Sequence, residues 1–449
     1  MRQKRQLQPT LQEPWVDADH AKELQAIARL LDKHPTLSEL IWQDLQARGA
    51  ADPTRGRSAS LTAEQVLRVL IVKQLSGLGY RDLAFHLIDS LTYRRFCLLG
   101  VTDNAPSKSA LHEAIKAIRP ETMEAIHRVL ISSTDAREVE PARQVRVDST
   151  VVKANIHHPT DSGLLWDCIR TLTRLMKKAR ELQGEEIKFN NRLRRAKRRH
   201  IGILDARRTS KRQKLYLDLI RVAKEVRQMA MRVVDQLTSA ENSRLAGLAM
   251  ELQHFLEMTE KVLAQTCRRI INGESVPVDE KIVSIFEDHT DIIVKARRET
   301  QFGHKVFLTS GPSSLILDCL IQEGNPADSA LARTMIDRQS EIFSKPPRQA
   351  AFDGGFASRA NLKDIKELGV NDVVFSKRRG IPVADMAKSP WVYRRLKRFR
   401  AGIEGNISFL KRIFGLDRCM WRSWPSFKSY VWSSILTFNL VVLARHLLS

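Results

Sequence analysis

Three carboxylates stand out in this 449-residue chain by what surrounds each of them. Asp148 lies in residues 144–154, QVRVDSTVVKA, a β-branched run in which Val145, Val147 and Val151 alternate onto one face. Asp148 looks out from the other face beside Thr150 and Val152. An Asp in a strand is unfavourable unless something offsets its desolvation, so it reads either as a solvated strand tip or as a partnered site residue. Asp353 ends the short run Ala350-Ala-Phe-Asp and precedes Gly354-Gly355. Open α/β sheets place ligand contacts at such strand ends, and the glycines would let a backbone or a metal-bound phosphate approach; an Asp that only caps the turn looks the same. Glu404 borders a helical stripe of Leu396, Phe399, Ile403, Ile407, Leu410 and Phe414. Lys397, Arg400 and Lys411 share its side of that helix, so Glu404 is either half of an i,i+4 ion pair or a metal ligand flanked by phosphate clamps. Three carboxylates on two strands and a helix can hold two Mg²⁺ ions roughly 4 Å apart, the arrangement for in-line displacement at phosphorus. Without a histidine cluster, such donors favour Mg²⁺ or Mn²⁺ over Zn²⁺.

The elements that must position them follow from periodicity. Short β-rich runs at 290–296, 305–309 and 315–322, the last two joined through Gly311-Pro312, read as strands, the last two an antiparallel pair. A helix at 328–339, the Asp353 strand, a helix at 358–368 and a strand at 372–376 complete a mixed α/β core. The strand around Asp148 belongs to that sheet only if the helical stretch between is an insertion. Residues 162–271 are that stretch, with the stripe Leu219, Val222, Val226, Met229 and Val233 marking a bundle helix. Its segment 177–214 is dense in cations, among them Arg194, Arg195, Lys197, Arg198 and Arg199, with few acids within the run; a block of this kind is either a solvated face or a phosphate-contacting one. Ahead of the Asp148 strand, short helices with tight connections dominate, including one with capping-box spacing at Thr62 and Gln65, and the polar start at Ser107-Lys-Ser109 could face DNA. The expected division is 1–142 helical, 143–156 first strand of the core, 157–285 helical and basic insertion, and 286–449 the rest of the core with C-terminal helices.

A formal net charge of +23 calls for a polyanionic partner, nucleic acid first and an acidic membrane surface second. Five cysteines scattered singly exclude a zinc site or a disulfide framework and suit a reducing cytoplasm. The basic start Met1-Arg-Gln-Lys-Arg lacks an apolar continuation, so no secretory signal is expected. The apolar run 430–448 contains Ser433, Ser434, Asn439 and Arg445 and reads as a buried core helix rather than a membrane span.

Taken together, VRVDSTVV with NIHHPTD at 155–161, FGHKV at 302–306, FDGGF at 352–356 and Arg400-x3-Glu404-x6-Lys411 resemble the DDE transposases of bacterial insertion sequences, within them the ISNCY-like and IS-five-like groups. Residues 61–118 resemble the helical N-terminal domain of the same proteins. The resemblance implies an RNase H-like catalytic domain, an all-α N-terminal DNA-binding or dimerisation domain, and Asp148, Asp353 and Glu404 as the metal-binding triad. It implies phosphate contacts for Arg400 and Lys411; Lys397 stands where the signature normally has Tyr. His157, His158 and His304 also match family positions, each read as a structural histidine. The implied activity is Mg²⁺-dependent cleavage at terminal inverted repeats and strand transfer into target DNA by a homodimer, in the cytoplasm at the nucleoid. The competing readings are an RNase H-like nuclease without strand transfer and a non-catalytic, decayed copy that only binds DNA.

Overall fold

The computed structural model describes residues 15–49, 61–184, 187–238, 242–294 and 299–449. The basic N-terminal tip and the end of the 290–296 run lie outside them. Two compact units result: residues 1–154 with 303–449, and residues 155–302.

The first unit begins with eight helices: α1 (Asp19–Lys33), α2 (Thr36–Gly49), α3 (Ala63–Ser76), α4 (Tyr80–Asp89), α5 (Leu91–Phe96), α6 (Lys108–Lys116), α7 (Pro120–Ser132) and α8 (Thr134–Val139). Helix α3 starts where a capping box would start it: Thr62 Oγ1 accepts from the Gln65 N–H while the Gln65 side chain accepts from the Thr62 N–H. It stops at Gly77, whose φ of 67° is the left-handed turn that glycine adopts freely.

Strand β1 (Gln144–Lys153) follows, and the chain then passes through the second unit. That unit holds α9 (Asp161–Gln183), α10 (Leu193–Asp205), α11 (Thr209–Thr238) and α12 (Ser243–Thr266), then the short strand β2 (Asp291–Ile293). The bundle has a core of its own, in which Leu165, Cys168 and Leu172 of α9 meet Leu219, Val222 and Val226 of α11 and Leu252 and Val262 of α12.

On returning, the chain forms β3 (Gln301–Ser310), β4 (Ile316–Ile321), α13 (Ala332–Phe343), β5 (Gln349–Phe352), α14 (Arg359–Glu367), β6 (Asp372–Phe375), α15 (Val383–Met386), α16 (Pro390–Ile413) and α17 (Trp424–Leu448). Within the first unit the strand order is β4-β3-β1-β5-β6. β3 is antiparallel to β1 and to β4, whereas β5 is parallel to β1 and to β6. The helix expected at 328–339 starts later: Asp328–Ala330 is a 3-10 turn, and α13 begins only at Ala332.

β1 is central, and both its faces are covered. Val145 and Val147 join the large core with Phe352, Val373 and Phe375. The opposite face, with Arg146 opposite Ala351, lies under α16, where Ala351 and Val374 pack on Val392 and Leu396. Asp148 is therefore not at a solvated strand tip: it is only 8% exposed, and Thr150 and Val152 are buried as well.

Helix α17 is long and apolar enough to cross a membrane by length and composition alone. Most of it is buried, and its polar side chains have inward partners. Ser434 Oγ accepts from Gln74 at 2.5 Å, and Asn439 donates to the Ile316 carbonyl at 2.8 Å and accepts from the Ile316 N–H at 2.9 Å. A helix apolar all round that spends its polar groups this way is a core element.

Candidate active site

The site is assembled by three neighbouring pieces of the first unit. β1 brings Asp148 to the middle of the sheet, in register with Leu308 of β3. One strand over, β5 runs parallel, with Phe352 beside Val147, and the Asp353 N–H donates to the Val147 carbonyl at 3.3 Å. Asp353 therefore leaves the sheet next to Asp148, for a backbone reason independent of its side chain. α16 lies across this edge, and its Arg400 reaches both aspartates.

A guanidinium occupies the point where the three acids converge. Arg400 Nη2 donates to Asp148 Oδ2 at 2.6 Å and lies 2.9 Å from Asp353 Oδ1, while Nη1 donates to Glu404 Oε1 at 2.8 Å. Of the four groups Glu404 is the wet one, its side chain 67% exposed against 13% for Arg400. Asp148 Oδ1 also accepts the Ser149 N–H at 2.8 Å. Partial burial pushes the Asp353 carboxyl up. The Arg400 charge, the N–H groups of Gly354 and Gly355 and the Ser376 hydroxyl outweigh it, leaving the group below the ordinary carboxylate value. Among the described residues no three acids or histidines already stand at mutual metal-binding spacing. They are gathered on a cation instead, and three hard oxygen donors aimed at one positive group are a donor set that suits Mg²⁺ or Mn²⁺.

Two further residues, unremarked in the sequence, hold this geometry. Arg146, on the same face of β1 as Asp148, donates through Nε to Ser310 Oγ at 2.8 Å and through Nη1 to the Phe399 carbonyl at 3.1 Å, with its guanidinium 5.0 Å from the Phe399 ring centroid. Asn406 of α16 donates to the same Ser310 oxygen at 3.4 Å and to the Ser314 carbonyl at 3.1 Å. This polar belt sets α16 on the sheet next to Glu404. It also explains Gly402 in a helix interior: a Cβ there would lie 2.0 Å from Arg146 Nη1. The sequence signal was present, since a strand Arg among valines needs a partner and a mid-helix Gly needs a reason.

The remaining expected site residues differ in what they do. Lys411 donates to the Val151 carbonyl at 2.9 Å and so clamps α16 to β1. Lys397 is exposed on the outer side of α16. The space over Gly354 and Gly355, read as room for an approaching phosphate, is taken by side chains: a Cβ on Gly354 would meet Lys377 at 2.7 Å and one on Gly355 would meet Asp328 at 2.6 Å. Asp328 in turn accepts from Ser149 Oγ at 3.1 Å and from Lys305 at 3.0 Å. His304 is fully buried between Trp424 and Phe427.

In the second unit, the basic run is less bare than its local sequence implies. Arg195 and Arg199 of α10 both grip Asp218 of α11, and Arg192 lies 3.1 Å from Glu225. The compensating acids sit on the next helix, outside the run. Arg194, Lys197 and Arg198 point outward and are exposed. His157 lies 3.3 Å from Asp167, and His158 meets the Phe302 ring edge-on.

Residues 11–117 match a family described as Transposase domain (DUF772), and residues 273–440 match Transposase DDE domain. The second match holds Asp353 and Glu404, while β1 with Asp148 falls outside both. No curated protein and no solved structure matches significantly. With a transposase domain on either side of the helical bundle and the acids gathered as they are, the chain belongs to the DDE transposases of insertion sequences.

Proposed function

We propose that this transposase cuts DNA at the terminal inverted repeats of its element and joins the freed 3′-hydroxyl to target DNA, with Asp148, Asp353 and Glu404 as its catalytic acids on an RNase H-like core. The observation that carries the reading is the convergence of these three carboxylates on the Arg400 guanidinium. Three acids paired to one guanidinium, one of them buried and one half-buried, repel each other when that cation leaves, so the site is built to hold positive charge. Asp148, Asp353 and Glu404 would hold the divalent ion that the family normally uses, which when bound activates a water or hydroxyl and steadies the leaving oxygen.

The chain's own groups do the rest. Asp148 and Asp353 are fixed by backbone pairing and so arrive pre-positioned. Glu404, exposed and on a helix, is the acid free to adjust. Arg400 neutralises the acids before substrate arrives and, on release from them, reaches a phosphate; Lys411 and Lys397 extend the cationic edge along α16. The outward Arg194, Lys197 and Arg198 track the DNA backbone, while Arg195 and Arg199 stiffen the helix that presents them. Two ends must be brought together, which a homodimer on DNA would do.

The test is substitution of Asp148, Asp353 or Glu404 by Ala, assayed on a plasmid carrying the element's ends. Each change abolishes cleavage and joining while DNA binding persists. Strand transfer retained by any one variant removes that residue from the site, and nicking without joining by the wild type replaces the transposition reading with a nuclease one.

A further inference from the structure

β5 and β6 run parallel and end together, Phe352 beside Phe375, so Asp353 and the segment that follows β6 leave the sheet at the same end. Two hydrogen bonds tie them there. The Ser376 N–H donates to the Phe352 carbonyl at 3.0 Å, and Ser376 Oγ donates to Asp353 Oδ1 at 3.0 Å. The next three residues are Lys377, Arg378 and Arg379, all exposed.

Lys377 is exposed at its tip but held along its stem. A Cβ built on Gly354 would lie 2.7, 2.8 and 2.9 Å from its Cβ, Cγ and Cδ, so the methylenes run over the backbone of the residue that follows Asp353. Glycine at 354 is what leaves them room. The ammonium, two bonds past Cδ, is thereby carried beside the acid's turn with part of its rotamer freedom already given up.

The turn that follows is conformationally unusual. The Ile381 N–H donates to the Arg378 carbonyl at 3.0 Å, and both residues between are left-handed, Arg379 with φ of 46° and Gly380 with φ of 83°. A tight turn of that hand favours Asn, Asp or Gly at its first central position, and an Arg there is a local cost that points to a use for the side chain. Charge points the same way. Arg400 is spent on the three acids, Lys411 on the Val151 carbonyl and Lys305 on Asp328. Among the described residues, none of Lys377, Arg378 and Arg379 pairs with an acid. Unpaired cations on a short, tied turn beside metal-binding acids suit a phosphodiester backbone.

Resting on the DNA-transposase reading above, we propose that the turn 377–380 is a phosphate clamp, in which Lys377, pinned on Gly354, binds a phosphate flanking the scissile bond and Arg379 binds the backbone beyond it. The bond to be cut is thus registered against Asp353 through the backbone of the same turn that presents the acid.

A charge cycle on DNA tests this. In a duplex carrying one element end, phosphates flanking the cleavage position are replaced singly by neutral methylphosphonates, and the affinity of the full-length protein is read by anisotropy. In wild type one such replacement weakens binding about ten-fold, the worth of one charge-assisted contact. Lys377→Met keeps the stem over Gly354 and removes only the ammonium. It binds the unmodified duplex about ten-fold more weakly, lowers the log–log salt slope by about 1, and loses nothing further at that one methylphosphonate. Lys377→Arg restores the affinity and the sensitivity. Arg379→Gly melts no lower than wild type, since glycine adopts that φ freely, yet binds DNA more weakly. A Lys377→Met protein that responds to every methylphosphonate as wild type does overturns the clamp; cleavage of the unmodified duplex by wild type in Mg²⁺ then leaves the transposase reading standing. Coupling at one phosphate without any cleavage by wild type upholds the clamp and overturns the catalytic reading instead.

Discussion

Replacing Arg400 by Gln tests the electrostatic logic of the site directly. The substitution leaves Asp148, 8% exposed, and the half-buried Asp353 without their shared cation, whereas the exposed Glu404 loses an i,i+4 pair worth a few tenths of a kcal/mol. Stranding a buried acid by removing its partner costs about 3–5 kcal/mol. Because Asp353 is partly solvated and Asp148 keeps the Ser149 N–H, the lower end of that range is the expected penalty. In a calorimetric or fluorescence melt without divalent ions, that is a drop of about 5 °C for a unit of this size. Mg²⁺ then discriminates. It stabilises Arg400→Gln more than wild type, because in the variant the ion fills a vacancy and in the wild type it must displace a guanidinium.

The pH dependence changes sign as well. In wild type the Asp353 carboxyl lies below its ordinary value, so its contribution is present above about pH 4 and fades as pH falls through the folded-state value. Without Arg400 the opposing effect of burial is less restrained, and acidification relieves the variant instead of harming it. Equal melting temperatures in the two proteins without metal, or equal Mg²⁺ shifts, refute the idea that Arg400 stands in for a cation.

Further expectations concern α16 and the basic bundle. Gly402→Ala costs about 1–3 kcal/mol in denaturant unfolding, because its Cβ would lie against Arg146. Gly405→Ala on the same helix, with nothing within 4 Å, gains about 0.5–1 kcal/mol. Arg194→Ala, Lys197→Ala and Arg198→Ala together flatten the salt dependence of DNA binding by roughly 2–3 in log–log slope without altering the melt. Asp218→Asn has the opposite signature: it frees Arg195 and Arg199, lowers the melting temperature and leaves the salt slope unchanged or steeper.

The parts of this architecture that were legible in the sequence are those governed by local rules. The capping box at Thr62, the β-rich run around Asp148, the apolar periodicity of α16 and the inward character of α17 all follow from spacing. What was hidden depends on partners distant in the chain. Asp148 read equally as a solvated strand tip, yet α16, some 250 residues later, covers its face of β1. Arg146 and Asn406 drew no notice in the sequence because Ser310, which joins them, belongs to another strand. The basic run looked uncompensated because Asp218 and Glu225 lie on the following helix. Gly354 and Gly355 suggested an open approach, since nothing local announces Lys377 and Asp328 above them.

The pairing of Lys153 with Gly303 has a consequence for how the chain folds. β1 and β3 form the two arms of an antiparallel hairpin whose connecting loop is a unit of about 150 residues with its own hydrophobic core. Closing a flexible loop of that length costs about 3 kcal/mol more entropy than closing a four-residue turn. If the bundle condenses first, its two ends are already neighbours and that penalty largely vanishes. The sheet that carries the acids then zips as though its central strands were adjacent in sequence, so defects in the bundle slow formation of that sheet more than they weaken it once formed.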